Sequence, residues 1–100
     1  MIEKLQGILD RFNEIDQQLA SVGDDYTTAI ELSKERSEIE PIVVKARAYQ
    51  ETLERIEETK DLLESEDEEM QALAEIEMEA LQAKREKLEE QLKSMLVPKD

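Results

Sequence analysis

The segment "ERSEIEPIVVKARAY", residues 35–49, decides the fold because it places a proline inside a run of residues that otherwise favours helix. Pro41 has no backbone N–H, and its ring collides with the carbonyl four residues earlier, so an interior position costs roughly 3 kcal/mol. One apolar row nevertheless keeps its seven-residue phase across the proline: Leu32, Ile39, Ala46 and Leu53. This spacing predicts one long helix over residues 28–64 with a kink near Pro41. The alternative is a true break, with Pro41 as the first residue of a new helix.

A second row on the same face supports a helix that packs through a coiled-coil-like seam. This row consists of Ile42, Tyr49, Ile56 and Leu63. Helices are also predicted over residues 2–20 and 67–96, because apolar residues recur there at steps of three and four. The first of these stripes contains Ile2, Leu5, Ile8, Leu9, Phe12, Ile15 and Leu19. The last contains Ala74, Met78, Leu81, Arg85, Leu88, Leu92 and Met95, with the stem of Arg85 lying along the seam and its charge in water.

Short polar segments separate the predicted helices. The segment "SVGDDYTT", residues 21–28, contains Gly23 and two aspartates and is typical of a loop. Thr28 and Glu31 have the spacing of a capping box for the second helix. Ser65 and Glu68 have the same spacing before the third.

The composition favours long helices over a globular core. Of the 100 residues, 40% are charged and 39% hydrophobic, with only two glycines and two prolines. This is the profile of coiled coils, and short loops favour antiparallel neighbours. We therefore expect an all-α fold, an elongated antiparallel three-helix coiled-coil-like bundle, formed by a single helical domain over residues 1–100.

Several functions are disfavoured by the residues that the sequence lacks. It contains no histidine and no cysteine, which are the commonest general base and the strongest nucleophile. We expect no enzyme activity and assign no catalytic, cofactor-binding or metal-binding residue. A net charge of −14 disfavours contact with nucleic acid or an anionic membrane. Without a membrane span or a signal peptide at residues 1–12, a cytoplasmic location is expected.

Two proline-centred motifs resemble the N-terminal region of bacterial class I peptide chain release factors. The first is "ELSKERSEIEPIVV", residues 31–44, in which Ile39 to Val43 form the central Ile-Glu-Pro-Ile-Val core. The second is "LVPKD", residues 96–100, which resembles the domain junction of the UAA- and UAG-reading type. The UGA-reading paralogue lacks that Pro-Lys-Asp junction. The resemblance covers the whole chain, although the first loop, residues 21–29, is shorter than is usual in the family.

The resemblance implies a role in translation termination. Such a factor enters the ribosomal decoding site at a stop codon and triggers hydrolysis of the peptidyl-tRNA ester. The Pro-x-Thr codon reader and the Gly-Gly-Gln loop of the family do not occur here. The resemblance therefore implies that these residues are an N-terminal fragment of a longer chain. Their partner would be the ribosome, through a protein contact at the base of the large-subunit stalk, while later domains would contact mRNA and tRNA.

A different class of function remains open from the residues alone. A free-standing acidic coiled-coil adaptor, or a chaperone-like interaction protein, would have the same composition. Exposed heptad stripes also allow self-association of the isolated fragment. If the helix ends make the contacts, residues 21–27 and 64–69 are the candidate positions.

Overall fold

The chain forms three α-helices in a computed structural model, which describes residues 1–98. The helices are α1 (Ile2–Ser21), α2 (Tyr26–Leu62) and α3 (Glu68–Leu96), and the described residues contain no strand. The prediction of an all-α fold with three helices is confirmed. The expected bounds of 2–20, 28–64 and 67–96 each lie within two residues of those observed.

Helix α2 passes through Pro41 without ending. All 37 of its residues are helical, and Pro41 is exposed. The alternative of a new helix that begins at Pro41 is therefore not what the chain adopts. The missing N–H and the crowded carbonyl of Ser37 both lie on an exposed part of the helix, where water can take the place of the lost hydrogen bond.

The cap of α2 differs from the predicted capping box. Asp25, and not Thr28, is the capping residue: the backbone N–H of Thr28 donates to Asp25 Oδ1 at 3.1 Å, and the Thr28 hydroxyl donates to Asp25 Oδ2 at 2.6 Å. These two hydrogen bonds hold the pKa of Asp25 below its ordinary value of 3.8, and the bond from the hydroxyl is the larger cause. The helix begins earlier than expected because the aspartate carboxylate caps it directly. Gly23 completes the turn with a φ of +59°, a left-handed conformation that suits glycine.

Helix α3 shows the same correction. Asp67 caps it by accepting hydrogen bonds from the N–H groups of Glu69 and Met70, at 3.0 and 3.4 Å. Ser65 lies two residues before Asp67, and its hydroxyl accepts a hydrogen bond from the N–H of Asp67. The predicted Ser65–Glu68 capping box therefore does not form. In both turns an aspartate replaces the hydroxyl that the pattern indicated, because its carboxylate binds the positive end of the helix more strongly.

Helix α3 ends at Leu96, just before a proline. Val97 is extended, with φ −70° and ψ 129°, as expected for a residue that precedes Pro98. Lys99 and Asp100 of the "LVPKD" motif lie outside the described residues.

The chain divides into two compact units, Met1–Ala46 and a second that begins at Arg47. That residues 1–100 form a single helical domain stays a prediction. The division follows from helix lengths: α1 has 20 residues and α2 has 37, so α1 can accompany only part of α2. The first part of α2 belongs to one unit and its remainder to the other.

The first unit is a helical hairpin held by a buried apolar stripe and two ion pairs. Ile15 is completely buried, and so is Val43. Arg11 donates two hydrogen bonds to the Glu35 carboxylate, at 2.6 and 2.7 Å. Hydrogen bonding from that guanidinium is the main cause that holds the pKa of the Glu35 carboxyl below its ordinary value.

Arg36 makes the second connection between α1 and α2. It donates to Asp16 at 2.6 Å and to Glu40 at 2.7 Å, and its guanidinium lies 4.4 Å from the centre of the Phe12 ring. Phe12 itself is buried, so this cation covers the edge of the apolar stripe. The planar guanidinium allows these contacts together, which a lysine would not.

The second unit is formed by the end of α2 and by α3, which run antiparallel. Residues of the chain that lie further before the turn contact residues that lie further after it, as antiparallel helices require. The pairs are Leu63 with Gln71, Arg55 with Glu77, and Tyr49 with Glu89. The α3 stripe predicted from the sequence is buried at its aliphatic positions, Ala74, Leu81, Leu88 and Leu92. Met78 and Met95 are half-buried.

The buried line of α2 differs in detail from the two predicted rows. Leu32, Ala46, Tyr49 and Ile56 are buried as expected. Ile42 is only half-buried, whereas its neighbour Val43 is completely buried. The reason is the helical period: at 3.6 residues per turn a strict seven-residue row drifts, so the contact line moves to the adjacent position.

Replacing Pro41 tests whether α2 tolerates the proline at a cost. Pro41→Ala restores an N–H donor at an exposed position, so the free energy of unfolding should rise by about 1–3 kcal/mol. Chemical denaturation of the natural and substituted chains measures the difference. The matched control is Glu38→Ala, an exposed change in the same turn, which should stay within about 0.5 kcal/mol. A loss of stability in Pro41→Ala would contradict the account.

Candidate interaction surfaces

The described residues contain no candidate metal centre. No cluster of three or more histidine, cysteine, aspartate or glutamate side chains there has the geometry to hold a metal ion. Within the same part of the chain, no helix has the length and apolar character that crossing a membrane requires.

The turn between α1 and α2 exposes one aromatic side chain. Tyr26, at the first position of α2, is 72% exposed, and Ile30 lies one turn further along at 69%. With Ala29, Ser33 and neighbouring small residues, these side chains line an open apolar depression. Lys34 is the one charged residue in the lining of this depression, so its charge favours no particular class of ligand.

The turn between α2 and α3 is strongly acidic, and we refer to residues 61–69 as the acidic turn. All six of its carboxylates are exposed: Asp61, Glu64, Glu66, Asp67, Glu68 and Glu69. Asp67 is occupied as the helix cap, and Glu68 and Glu69 lie in the first turn of α3, where their negative charge is favourable at the positive end of the helix. Repulsion among so many acids is unfavourable, and a basic partner would relieve it.

A second exposed feature, which the sequence analysis missed, begins next to the acidic turn. Leu73, Ile76, Ala80 and Ala83 follow one another at steps of three and four along α3 and are all exposed. Leu73 is 62% exposed and Ile76 is 69% exposed. We call these four residues the outer stripe, because they lie on the side of α3 away from its buried row. The sequence signal was present, but the stronger aliphatic row beside it took precedence.

The interior of the second unit contains polar groups. Thr52 and Thr59 are 1% and 3% exposed, and each hydroxyl donates to the carbonyl four residues earlier, at 2.8 and 2.7 Å. The burial of these two threonines was not predicted, because the apolar pattern treats threonine as a polar residue. Because the hydroxyls are satisfied within their own helix, threonine can fill an apolar position at little cost.

Tyr49 and Arg85 meet within the second unit. Burial is the first cause that raises the pKa of Tyr49 above its ordinary value of 10.0, and the nearby Glu89 is the second. Arg85 Nε is buried without a hydrogen bond and lies 3.6 Å from Glu89 Oε1. The Arg85 side chain as a whole is 38% exposed, so Nε is buried at the seam while another part of the side chain reaches water.

Comparison with known proteins identifies relatives over the whole chain. Residues 8–100 match the PCRF domain family. The chain is 47% identical to a peptide chain release factor 1 of a Nitratiruptor species, over 98% of this chain and 28% of that protein. It is 43% identical to a peptide chain release factor 1 of Helicobacter acinonychis, over 100% of this chain and 28% of that protein. No solved structure matches the chain.

The chain thus spans 28% of the length of the curated relatives it matches. The chain is 44% identical to a peptide chain release factor 1 of Campylobacter concisus, over 98% of this chain and 28% of that protein. The matches agree with one another in coverage, and together they include both proline-centred motifs of the sequence.

Titration of Tyr49 tests the polar contacts in the second unit. The chain has two tyrosines, so Tyr26→Phe leaves Tyr49 as the one phenol to follow by ultraviolet absorbance. We expect Tyr49 to ionise above pH 10.0, and Glu89→Gln to lower that pKa by removing a negative neighbour. A raised folded-state pKa means that the associated stability is present below the ordinary pKa and is lost as pH rises through the folded value. A pKa unchanged by Glu89→Gln would contradict the contact.

Proposed function

The chain belongs to the PCRF domain family, and from that premise we propose that it is the N-terminal, ribosome-contacting helical domain of a stop-codon-specific peptide chain release factor. The parent protein would terminate translation in the cytoplasm by promoting peptidyl-tRNA hydrolysis at UAA and UAG. The observation that carries this proposal is the match to release factor 1 proteins over 98% and 100% of the chain.

The proposed contribution of this domain is binding and not chemistry. The sequence has neither a Gly-Gly-Gln loop nor a Pro-x-Thr reader, so hydrolysis and codon reading would belong to other parts of the parent protein. The domain would meet a basic protein at the base of the large-subunit stalk. Contacts to mRNA and tRNA would lie elsewhere, in keeping with the net charge of −14.

We assign the ribosomal contact to the acidic turn. Its carboxylates are exposed, close together in sequence and adjacent to a helix start. Charges of one sign that face a basic surface accelerate encounter more than they strengthen the final complex. The acidic turn would therefore act mainly on the rate at which the factor reaches a terminating ribosome.

A reconstituted termination reaction tests the function of the parent protein. The natural full-length protein should release peptide from ribosomes halted at UAA and at UAG, and should leave those halted at UGA intact. Release at none of the three codons would contradict the proposal and would favour an acidic adaptor.

Neutralising the acidic turn tests the assigned surface. Replacing Glu64, Glu66, Glu68 and Glu69 by glutamine keeps the Asp67 cap and should slow association with terminating ribosomes on the order of tenfold at low salt. Stopped-flow binding measures this rate, and the difference should shrink as salt rises. Release by factor already bound should be unchanged.

The matched control removes the same number of exposed charges elsewhere. It replaces Glu38, Glu51, Glu54 and Glu58 by glutamine, all on α2 and all exposed. If the control slows association as much as the acidic-turn variant, net charge alone is responsible and the assigned surface is wrong.

A further inference from the structure

The outer stripe of α3 has the geometry of an unused helix-packing face. Leu73, Ile76, Ala80 and Ala83 repeat the three- and four-residue steps by which one helix packs against another. The packing face of α3 is already occupied, because Ala74, Leu81, Leu88 and Leu92 are buried. The outer stripe is thus a second apolar face on the same helix, and its two large side chains, Leu73 and Ile76, are 62% and 69% exposed.

The charges around the stripe indicate what can cover it. Residues 61–80 contain nine aspartates or glutamates and no lysine or arginine. Glu79 is exposed one turn after Ile76, and Glu69 is exposed one turn before Leu73, so each large apolar residue of the stripe has an acidic neighbour on the helix surface. The first exposed basic residues of α3, Lys84 and Lys87, come only at the far end of the stripe. The field along the stripe is therefore negative where Leu73 and Ile76 are exposed.

A second copy of this chain suits the stripe poorly. Each chain carries a net charge of −14, so two copies that paired through this acidic region would repel each other. RNA is disfavoured by the same charge. An apolar surface surrounded by acids is complementary to an apolar surface surrounded by bases.

We infer that the outer stripe docks a basic amphipathic helix of another protein. The partner helix would place aliphatic residues, at three- and four-residue spacing, against Leu73 and Ile76. Its lysine and arginine side chains would face Glu69 and Glu79. The small side chains of Ala80 and Ala83 would allow the two helices to approach closely. This inference stands on the geometry of α3 and does not depend on the termination function.

A designed helical peptide tests the chemistry of the surface. It carries leucines at the three- and four-residue spacing, with lysine and arginine on both sides, and its binding to the natural protein is followed by fluorescence anisotropy. Leu73→Gln together with Ile76→Gln should weaken binding on the order of tenfold or more, because two exposed apolar anchors are lost. Both positions are exposed, so folding, checked by circular dichroism, should be retained.

Two controls separate docking from general charge attraction. Tyr26→Gln with Ile30→Gln removes equally exposed apolar residues from the other unit and should change binding by less than about twofold. A peptide of identical composition, with its leucines spread around the helix, should bind more weakly than the designed one. Equal binding by the two peptides, or no effect of the Leu73 and Ile76 substitutions, would overturn the inference.

Cross-linking identifies the occupant in cells. A photo-reactive residue at position 76 of the natural protein, with one at position 30 for comparison, is activated and the attached peptides are sequenced. A basic amphipathic segment of another protein, attached at 76 and absent at 30, would support the inference. Attachment to another part of the same protein, to a second copy, to RNA or to nothing above the level at 30 would overturn it.

Discussion

The structure depends on the continuity of α2 through Pro41. A proline in a helix removes one donor and crowds the carbonyl four residues before it. Here both Pro41 and Ser37 lie where water can satisfy the free carbonyl, while the buried positions Leu32 and Val43 lie on the other side of the helix. The cost is therefore borne on the solvent side and the buried line is left intact. Pro41 lies in the first unit, which takes one of its two helices from α2, so the packing of that unit relies on α2 remaining helical at the proline.

Hydrogen-bonded ion pairs join the helices in both units. In the first, Arg11 and Arg36 form hydrogen-bonded ion pairs across the hairpin, and Arg36 also covers the Phe12 ring. In the second, Arg55 pairs with Glu77 and Tyr49 contacts Glu89 across the helices, while the hydroxyls of the buried threonines donate to carbonyl oxygens within α2. The ion pairs are partly exposed, and such pairs add little net stability. Their value lies in fixing which faces of α1 and α2 meet.

Much of the fold followed from periodicity, because burial along a helix repeats in a way that sequence displays directly. The three helices and the buried rows at Leu81, Leu88 and Leu92 were predictable for this reason. The caps were not, because aspartate, serine and threonine all cap helices and only the local backbone selects Asp25 and Asp67. Val43 was missed because the buried line of α2 shifts away from a strict seven-residue row. Thr52 was missed because a polar residue does not count in an apolar pattern, although its hydroxyl is hydrogen-bonded within the helix.

The candidate surfaces were harder to predict than the core. The acidic turn is visible as composition, and residues 64–69 were among the positions expected at a helix end. The outer stripe was not foreseen, because an exposed leucine or isoleucine looks the same in sequence as a buried one. Only when Ala74 and Leu81 are seen to be buried does the separate row through Leu73 and Ile76 become distinct. The proposed contacts therefore lie on surfaces that patterning alone does not separate from the core.

The measurement that tests the central claim most directly is the backbone chemical shift of each residue along α2, obtained by NMR. The account predicts Cα shifts characteristic of helix from Tyr26 to Leu62, including Ser37, Glu40 and Ile42 on both sides of the proline. Shifts that return to random-coil values between residues 37 and 42 would contradict it, because α2 would then be two helices joined at Pro41.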